Sequence, residues 1–134
     1  MSVTLPPSRT LRVLRRIFNP LWMRVGLAAV LEVPGRRTGT PTYATVIPWE
    51  VDGTVYLMSQ YGASNWVRNL RAAGRGELRR KAQTQAFSAV EVDGDERDRV
   101  LAVFNAKTPK PFNRDFNRRP APADHPTFRV EPIS

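Results

Sequence analysis

Asp52-Gly53 restricts this chain more than any other pair of residues. It separates two runs rich in β-branched and aromatic side chains, Thr42 to Val51 and Thr54 to Ser59. Asp-Gly readily takes the positive-φ turn that joins two strands through two residues, and strands joined that way lie antiparallel. Asp93-Gly94 marks a second turn, and Pro34-Gly35 punctuates the end of a short apolar strand, Ala29 to Val33. Pro48 falls inside the first long run, where its missing N–H suits an edge or a bulge. Glu77 to Lys81 and Thr84 to Val92 read as another strand pair, and Thr127 to Glu131 as a last short strand. In Thr84 to Val92 the buried face is left open, because Phe87, Ala89 and Glu91 alternate against Ala86, Val90 and Val92.

Two helices fit between these strands. Asn65 to Ala73 places Trp66, Leu70 and Ala73 inward and ends at Gly74 as a C-cap. Asp95 to Ala106 carries Val100, Leu101, Val103 and Phe104 on its apolar side and acids in its first turn, as the helix dipole favours. Five or six mostly antiparallel strands with flanking helices predict an α+β fold, a small barrel rather than a parallel doubly wound sheet.

Ahead of the barrel, Pro6-Pro7-Ser8 leads into Arg9 to Phe18, with Leu11, Leu14 and Phe18 on one face and Arg9, Arg12, Arg15 and Arg16 on the others. Asn19-Pro20 stops this basic amphipathic helix. Its apolar face either packs on the domain or lies on an anionic bilayer, and both readings stay open. Residues 1–19 therefore form an N-terminal helix and residues 20–134 a single domain, with a proline-rich segment at about 107–126 expected as a loop or lid.

Composition narrows the chemistry. The 134 residues suit one domain, burying about two thirds of the unfolded surface. Without cysteine there are no disulfides, thiolate metal sites or cysteine nucleophiles. The single histidine, His125, stands between Asp124 and Pro126 and reads as a solvated tail residue, so no multi-histidine metal centre is available and no metal is expected. Paired carboxylates for acid–base work are absent: Asp93, Asp95, Glu96 and Asp98 cluster at a turn and helix start, where capping and solubility account for them. Any catalysis therefore rests on a bound cofactor. No apolar h-region precedes Thr10, and the longest apolar run, Gly26 to Val33, is broken by Glu32, so a cytoplasmic protein is expected.

The net charge of +9 calls for an anionic partner: nucleic acid, phospholipid or a phosphorylated coenzyme. Nucleic acid finds no interleaved aromatic and basic strands and no recognition helix here. Two segments suit a coenzyme. The turn Gly35-Arg36-Arg37-Thr38-Gly39-Thr40-Pro41 brings two guanidinium groups and backbone amides close to an anion. One hairpin later, Ser59-Gln60-Tyr61-Gly62 leads into a helix start, and Tyr61 and Trp66 can wall a flat ring. Asn69, with Arg68 and Arg71 beside it, either caps a loop or hydrogen-bonds the edge of a heterocycle.

The order L-E-V-P-G-R-R-T-G-T-P, D-G-T-V-Y-L-M-S-Q-Y-G and N-W-V-R-N-L-R-A-A-G resembles the deazaflavin-dependent nitroreductase family, a branch of the flavin/deazaflavin oxidoreductases built on a split β-barrel. The resemblance covers roughly residues 20 to 105. It implies coenzyme F420, a deazaflavin with a phosphate and an oligoglutamate tail, as cofactor, with FMN as the alternative. Arg36, Arg37, Thr38 and Thr40 would then hold the phosphate or tail. Ser59, Gln60, Tyr61 and Gly62, with Trp66, Arg68 and Asn69, would border the ring, and Ser59 would orient the acceptor. The implied activity is hydride transfer to a small quinone-like or nitroaromatic acceptor, in the cytoplasm or at the inner face of the membrane through residues 9–18. This chain carries Thr42 where the family commonly has a basic residue and Gln60 where it often has lysine. Phe112 and Phe116 occupy the region of its substrate-flanking tyrosines. Weaker tail binding and a different substrate are the expected consequences. Two other readings accompany this one: a non-catalytic split-barrel protein that binds a flavin, haem or lipid, and a basic protein that binds nucleic acid.

Overall fold

Alternation begins at Ala29, where Ala29, Leu31 and Val33 turn inward and Val30 stays exposed. In the computed structural model, which describes residues 28–60, 62–108, 110, 117–118 and 121–133, this stretch is β1 (Ala29–Pro34). It is followed by β2 (Pro41–Val46), β3 (Trp49–Val51), β4 (Thr54–Met58), α1 (Asn65–Ala73), β5 (Arg75–Arg80), β6 (Gln83–Val92), α2 (Gly94–Lys107), a 3-10 turn (Pro122–Asp124) and β7 (Thr127–Pro132). The helix expected over residues 9–18 lies outside the described residues, as do Tyr61, Phe112 and Phe116.

All seven strands form one sheet in the order β2-β1-β5-β6-β7-β4-β3, each neighbouring pair antiparallel. The expected long strand from Thr42 to Val51 is in fact two, broken at Ile47-Pro48, and its halves become the opposite edges of the sheet. Two residues span only about 10 Å between the strand ends they join. The sheet must therefore curl until its edges meet at this corner, which makes it a split barrel, an α+β fold with flanking helices. At the β3–β4 hairpin, Asp52 and Gly53 both take positive φ (54° and 82°), the turn geometry their sequence demands.

Strand β6 resolves the ambiguity of its own alternation. Its first half pairs with β5 (Gln83 to Ser88) and its second with β7 (Phe87 to Val92). Phe87 fills the barrel interior beside Leu31, Leu78, Leu57 and Phe128, while Val92 faces outward into a second cluster with Val51, Tyr56 and Val100 under α2. Strand β4 is likewise buried on both faces, Val55 and Leu57 inside and Tyr56 outside. Between β5 and β1 the backbones approach so closely that a Cβ on Gly76 would lie 2.9 Å from the Glu32 carbonyl oxygen.

Helix α1 lies against β1, β2, β5 and β6 and ends as expected at Gly74, whose left-handed backbone (φ 69°) lets its N–H reach the Leu70 carbonyl. Its buried residues are Val67, Asn69 and Leu70, with Trp66 and Ala73 only partly covered. The inward stripe is thus shifted from the expected Trp66, Leu70 and Ala73, because Asn69 finds polar partners beneath the helix.

Candidate functional site

The Gly35–Thr40 turn is held by its own backbone. Gly35 N–H donates to the Thr40 carbonyl (2.8 Å) and Gly39 N–H to the Gly35 carbonyl (2.9 Å), with Gly39 at φ 77° closing the bend. The Thr38 hydroxyl accepts from Thr40 N–H at 3.2 Å. Beneath the turn sits Asn69 of α1. Its Oδ1 accepts both the Arg36 backbone N–H (3.1 Å) and Arg36 Nη1 (2.8 Å), and its Nδ2 donates to Thr42 Oγ1 (3.2 Å). Thr42 in turn donates to the Val33 carbonyl at 2.8 Å. The loop-capping contact read from the sequence is present in the structure. A buried amide with donor and acceptor both engaged fixes the turn rigidly. Arg36, Arg37, Thr38, Thr40 and Arg68 are exposed, and none of the three arginines enters an ion pair among the described residues. Their charge is available to an anion.

The second part of the site lies at the corner where the two sheet edges meet. A cleft of about 210 Å³ opens there, walled by Trp49 of β3, Met58 at the end of β4, Ser59 and Gln60 just beyond it, Trp66 of α1 and Phe104 of α2. Trp49 and Phe104 meet edge to face at 5.3 Å, and Trp66 tilts against Phe128 at 6.0 Å. The structure therefore brings Ser59, Gln60 and Trp66 together and sets Arg36, Arg37, Thr38 and Thr40 apart from them, with Arg68 exposed on α1 between Trp66 and Asn69. The two groups sit at opposite ends of β2, whose six residues span about 17 Å. Trp49, Met58 and Phe104 were missed by sequence reasoning, since only the closure of the barrel brings β3 and α2 to this corner.

Ser59 is not presented to the cleft through its hydroxyl. It is 2% exposed, and its Oγ donates to the Gly62 carbonyl at 2.7 Å, closing a tight loop in which Gly62 has φ 78°. The expectation for His125 is corrected outright. The ring is fully buried, with Nδ1 2.9 Å from the Ser59 carbonyl oxygen, and Ser59 N–H donates to the Pro126 carbonyl at 2.9 Å. The Pro122–Asp124 turn feeds the chain into β7 from beneath the Ser59 loop, and the imidazole fills the space between them.

Glu96 is also more than a dipole-favoured helix-start acid. It accepts the Tyr56 hydroxyl (2.7 Å) and both its oxygens contact Arg129 Nη1 (3.0 and 2.9 Å), pinning α2 to β4 and β7. Asp93 flanks α2 without a side-chain capping bond. Burial, and then the bond to Glu96, push the Tyr56 phenol up to about 12, while the Tyr56 bond, then Arg129, hold the Glu96 carboxyl below its usual value against the opposing effect of burial. No group of metal-ligating side chains exists among the described residues, and no helix among them is long and apolar enough to cross a membrane.

Comparison with known proteins covers most of the chain. A solved F420-H2 dependent reductase (FDR-A) superposes with a TM-score of 0.58 at 18% identity, over 78% of this chain and 93% of its own. The haem storage protein HutZ from Vibrio cholerae superposes at 0.62 with 13% identity over 95% and 90% of the two chains. A FAD-binding protein from Mesorhizobium loti gives 0.53 with 14% identity over 84% and 85%. At such identities these likenesses establish the fold alone. No curated protein matches the chain. Residues 18–119, however, which include both the arginine turn and the aromatic cleft, match the family described as F420H2-dependent quinone reductase, and the chain belongs to that family of oxidoreductases.

Proposed function

We propose that this protein uses reduced coenzyme F420 to reduce a small quinone-like or nitroaromatic acceptor. The observation that carries the reading is the pairing of a rigid arginine turn, whose guanidinium groups enter no ion pair among the described residues, with an aromatic cleft one strand length away. The donor set fits the group: guanidinium forks suit a phosphate and carboxylates, and an indole-lined slot suits a planar ring. Arg36 and Arg37, with Thr38 and Thr40, would hold the phosphate or the oligoglutamate tail, and Arg68 would add positive charge on the adjoining helix face. Gln60, Gly62, Trp66 and the neighbouring Tyr61 would border the ring, with Trp49 and Phe104 excluding water from the reacting edge. When bound, the reduced deazaflavin supplies a hydride.

The chain's own residues orient the acceptor and limit solvent access. Ser59 contributes by closing the loop that carries Gln60. Asn69 contributes by holding Arg36, so its role in the site runs through the turn. With no acid among the described residues that line it, the cleft suits chemistry in which the enzyme positions two partners rather than moving many protons. The haem-binding alternative gains no support from the one histidine, which is buried against Ser59 instead of facing the cleft.

Titration of the purified protein with oxidised F420 and with FMN, followed by turnover of reduced F420 with menadione, tests the reading. Tight F420 binding and menadione-dependent oxidation support it, and binding without turnover would return the protein to a carrier role. Arg37→Ala is expected to weaken F420 binding by about 1–3 kcal/mol, the loss of a charge-assisted contact. Contact with anionic lipid through residues 9–18 belongs to the same proposal, and unchanged liposome association after deleting residues 1–19 would remove that part.

A further inference from the structure

We propose that His125 is a positioning residue for the acceptor side of the cleft, acting through the Ser59–Gly62 loop. The inference rests on the cleft's being the reductase site, and its physical basis is independent of any ligand. Strand β4 leaves the sheet at Met58, which is paired with Thr127 of β7. The next rung is made outside the strands, by Ser59 N–H on the Pro126 carbonyl. Beyond that rung the ladder stops, and the buried Ser59 carbonyl receives the His125 ring at 2.9 Å. A carbonyl only accepts, so Nδ1 carries the proton in this contact.

Everything around the ring is fixed. His125 N–H donates to the Pro122 carbonyl (3.0 Å), the His125 carbonyl accepts Thr127 Oγ1 (2.9 Å), and both His125 and Thr127 are fully buried. On the loop side, Ser59 Oγ and Ser64 N–H both bond the Gly62 carbonyl (2.7 and 2.9 Å), and the Asp124 carbonyl lies 3.8 Å from where a Cβ on Gly62 would stand. The loop that carries Gln60 into the cleft is therefore clamped at its base by one side chain 66 residues away. Arg36 and Asn69 take no part in this clamp, so the two halves of the site are held by separate devices. A buried hydrogen bond of this kind rigidifies what it joins, and a wall so fixed keeps a ring and an acceptor in register.

The test compares the wild-type protein, His125→Phe, which fills the ring volume without a donor, and His125→Asn, whose Nδ2 can stand where Nδ1 stands. Amide hydrogen exchange of residues 59–64, read without any cofactor, is expected to quicken by about tenfold or more in His125→Phe and to return to the wild-type rate in His125→Asn. With reduced F420 and menadione, His125→Phe is expected to lower kcat and raise the menadione KM, about tenfold in combination, while the F420 Kd moves less than about threefold. His125→Asn is expected to restore both. Wild-type exchange and kinetics in a folded His125→Phe would overturn the proposal, and so would a folded His125→Asn that rescues neither. If His125→Phe does not fold, His125→Gln, whose amide reaches toward the Nε2 position, takes its place with the same two outcomes. Failure of the wild-type protein to bind F420 would refute the reductase reading, and the exchange measurement would still decide the role of His125.

Discussion

Replacing Asn69 separates the turn's rigidity from its charge. Asn69→Ala removes two bonds from Arg36 to Oδ1, at 3.1 and 2.8 Å, and one from Nδ2 to Thr42 at 3.2 Å. Taken singly, a neutral bond is worth about 1 kcal/mol and one to a charged group about 1.5–3 kcal/mol. Arg36 is exposed and rehydrates when released, and Thr42 keeps its bond to Val33, so the net loss of stability is expected near 2 kcal/mol. Coenzyme affinity should fall in addition, because an unheld turn must be ordered on binding. Asn69→Asp distinguishes the two effects. It keeps the acceptor for Arg36 and loses only the donor to Thr42, so stability should stay within about 1 kcal/mol of wild type. It also places a carboxylate beside the proposed anion grip, where repulsion of order 1 kcal/mol weakens F420 binding about five- to tenfold. Urea unfolding reads the first quantity and fluorescence titration with F420 the second. Wild-type F420 affinity in both variants would refute the assignment of this turn as the anion grip, whatever the stabilities.

Gly76→Ala is expected to cost about 1–3 kcal/mol in urea unfolding, since its Cβ would meet the Glu32 carbonyl at 2.9 Å and Val33 at 3.1 Å between two paired strands. With its folded pKa raised from 10 to about 12, Tyr56 contributes stability that is complete below pH 10 and lost as pH rises toward 12. That contribution is about 2–3 kcal/mol, and Tyr56→Phe should flatten the alkaline limb of a pH–stability profile. Glu96 has the opposite sign: its lowered pKa contributes stability present above pH 4.5 and lost as the pH falls below it, and Glu96→Gln should blunt that acid loss. Trp66→Ala is expected to lower menadione turnover more than tail-end binding, and equal losses in kcat and in F420 affinity would argue against a division between ring wall and anion turn.

What could be read from the sequence was local. The Asp52-Gly53 hairpin and the Gly74 cap were legible because each demands a positive φ that few other residues supply. The break at Pro48 was legible as an edge or bulge, but not as the corner that carries the chain from one edge of the sheet to the other. That fact depends on β1, β5, β6, β7 and β4 lying between. The alternation in β6 was ambiguous for a physical reason: the barrel interior takes Phe87 and α2 covers Val92, so opposite faces are both buried. Asn69 and His125 are polar residues whose burial is stabilised by partners far along the chain, Arg36 and Thr42 for one and Ser59 for the other. A single sequence carries no local mark of such pairings. The arginine turn and the Ser59–Trp66 segment stood out on composition and order, whereas the contributions of Trp49 and Phe104 needed the closed sheet.

Helix α1 explains why the two ends of the site can act as one. Trp66 and Asn69 are three residues apart, on the same side of the helix. The first walls the cleft and the second grips the turn. Val67 and Leu70, both fully buried, seat the helix in the barrel core between them. A rigid nine-residue helix thus sets the separation between aromatic wall and arginine turn, and neither can shift without moving the core. The Ser59–Gly62 wall runs into the start of α1 through the Ser64 N–H bond to the Gly62 carbonyl, but its base depends on β7 and His125. Substitutions at Val67 or Leu70, which seat α1, should therefore change stability and coenzyme affinity together, whereas substitutions at His125 or Gly62 should change turnover first. A library in which the two classes lost affinity and turnover in the same proportion would show that the cleft and the turn are not positioned by separate parts of the fold.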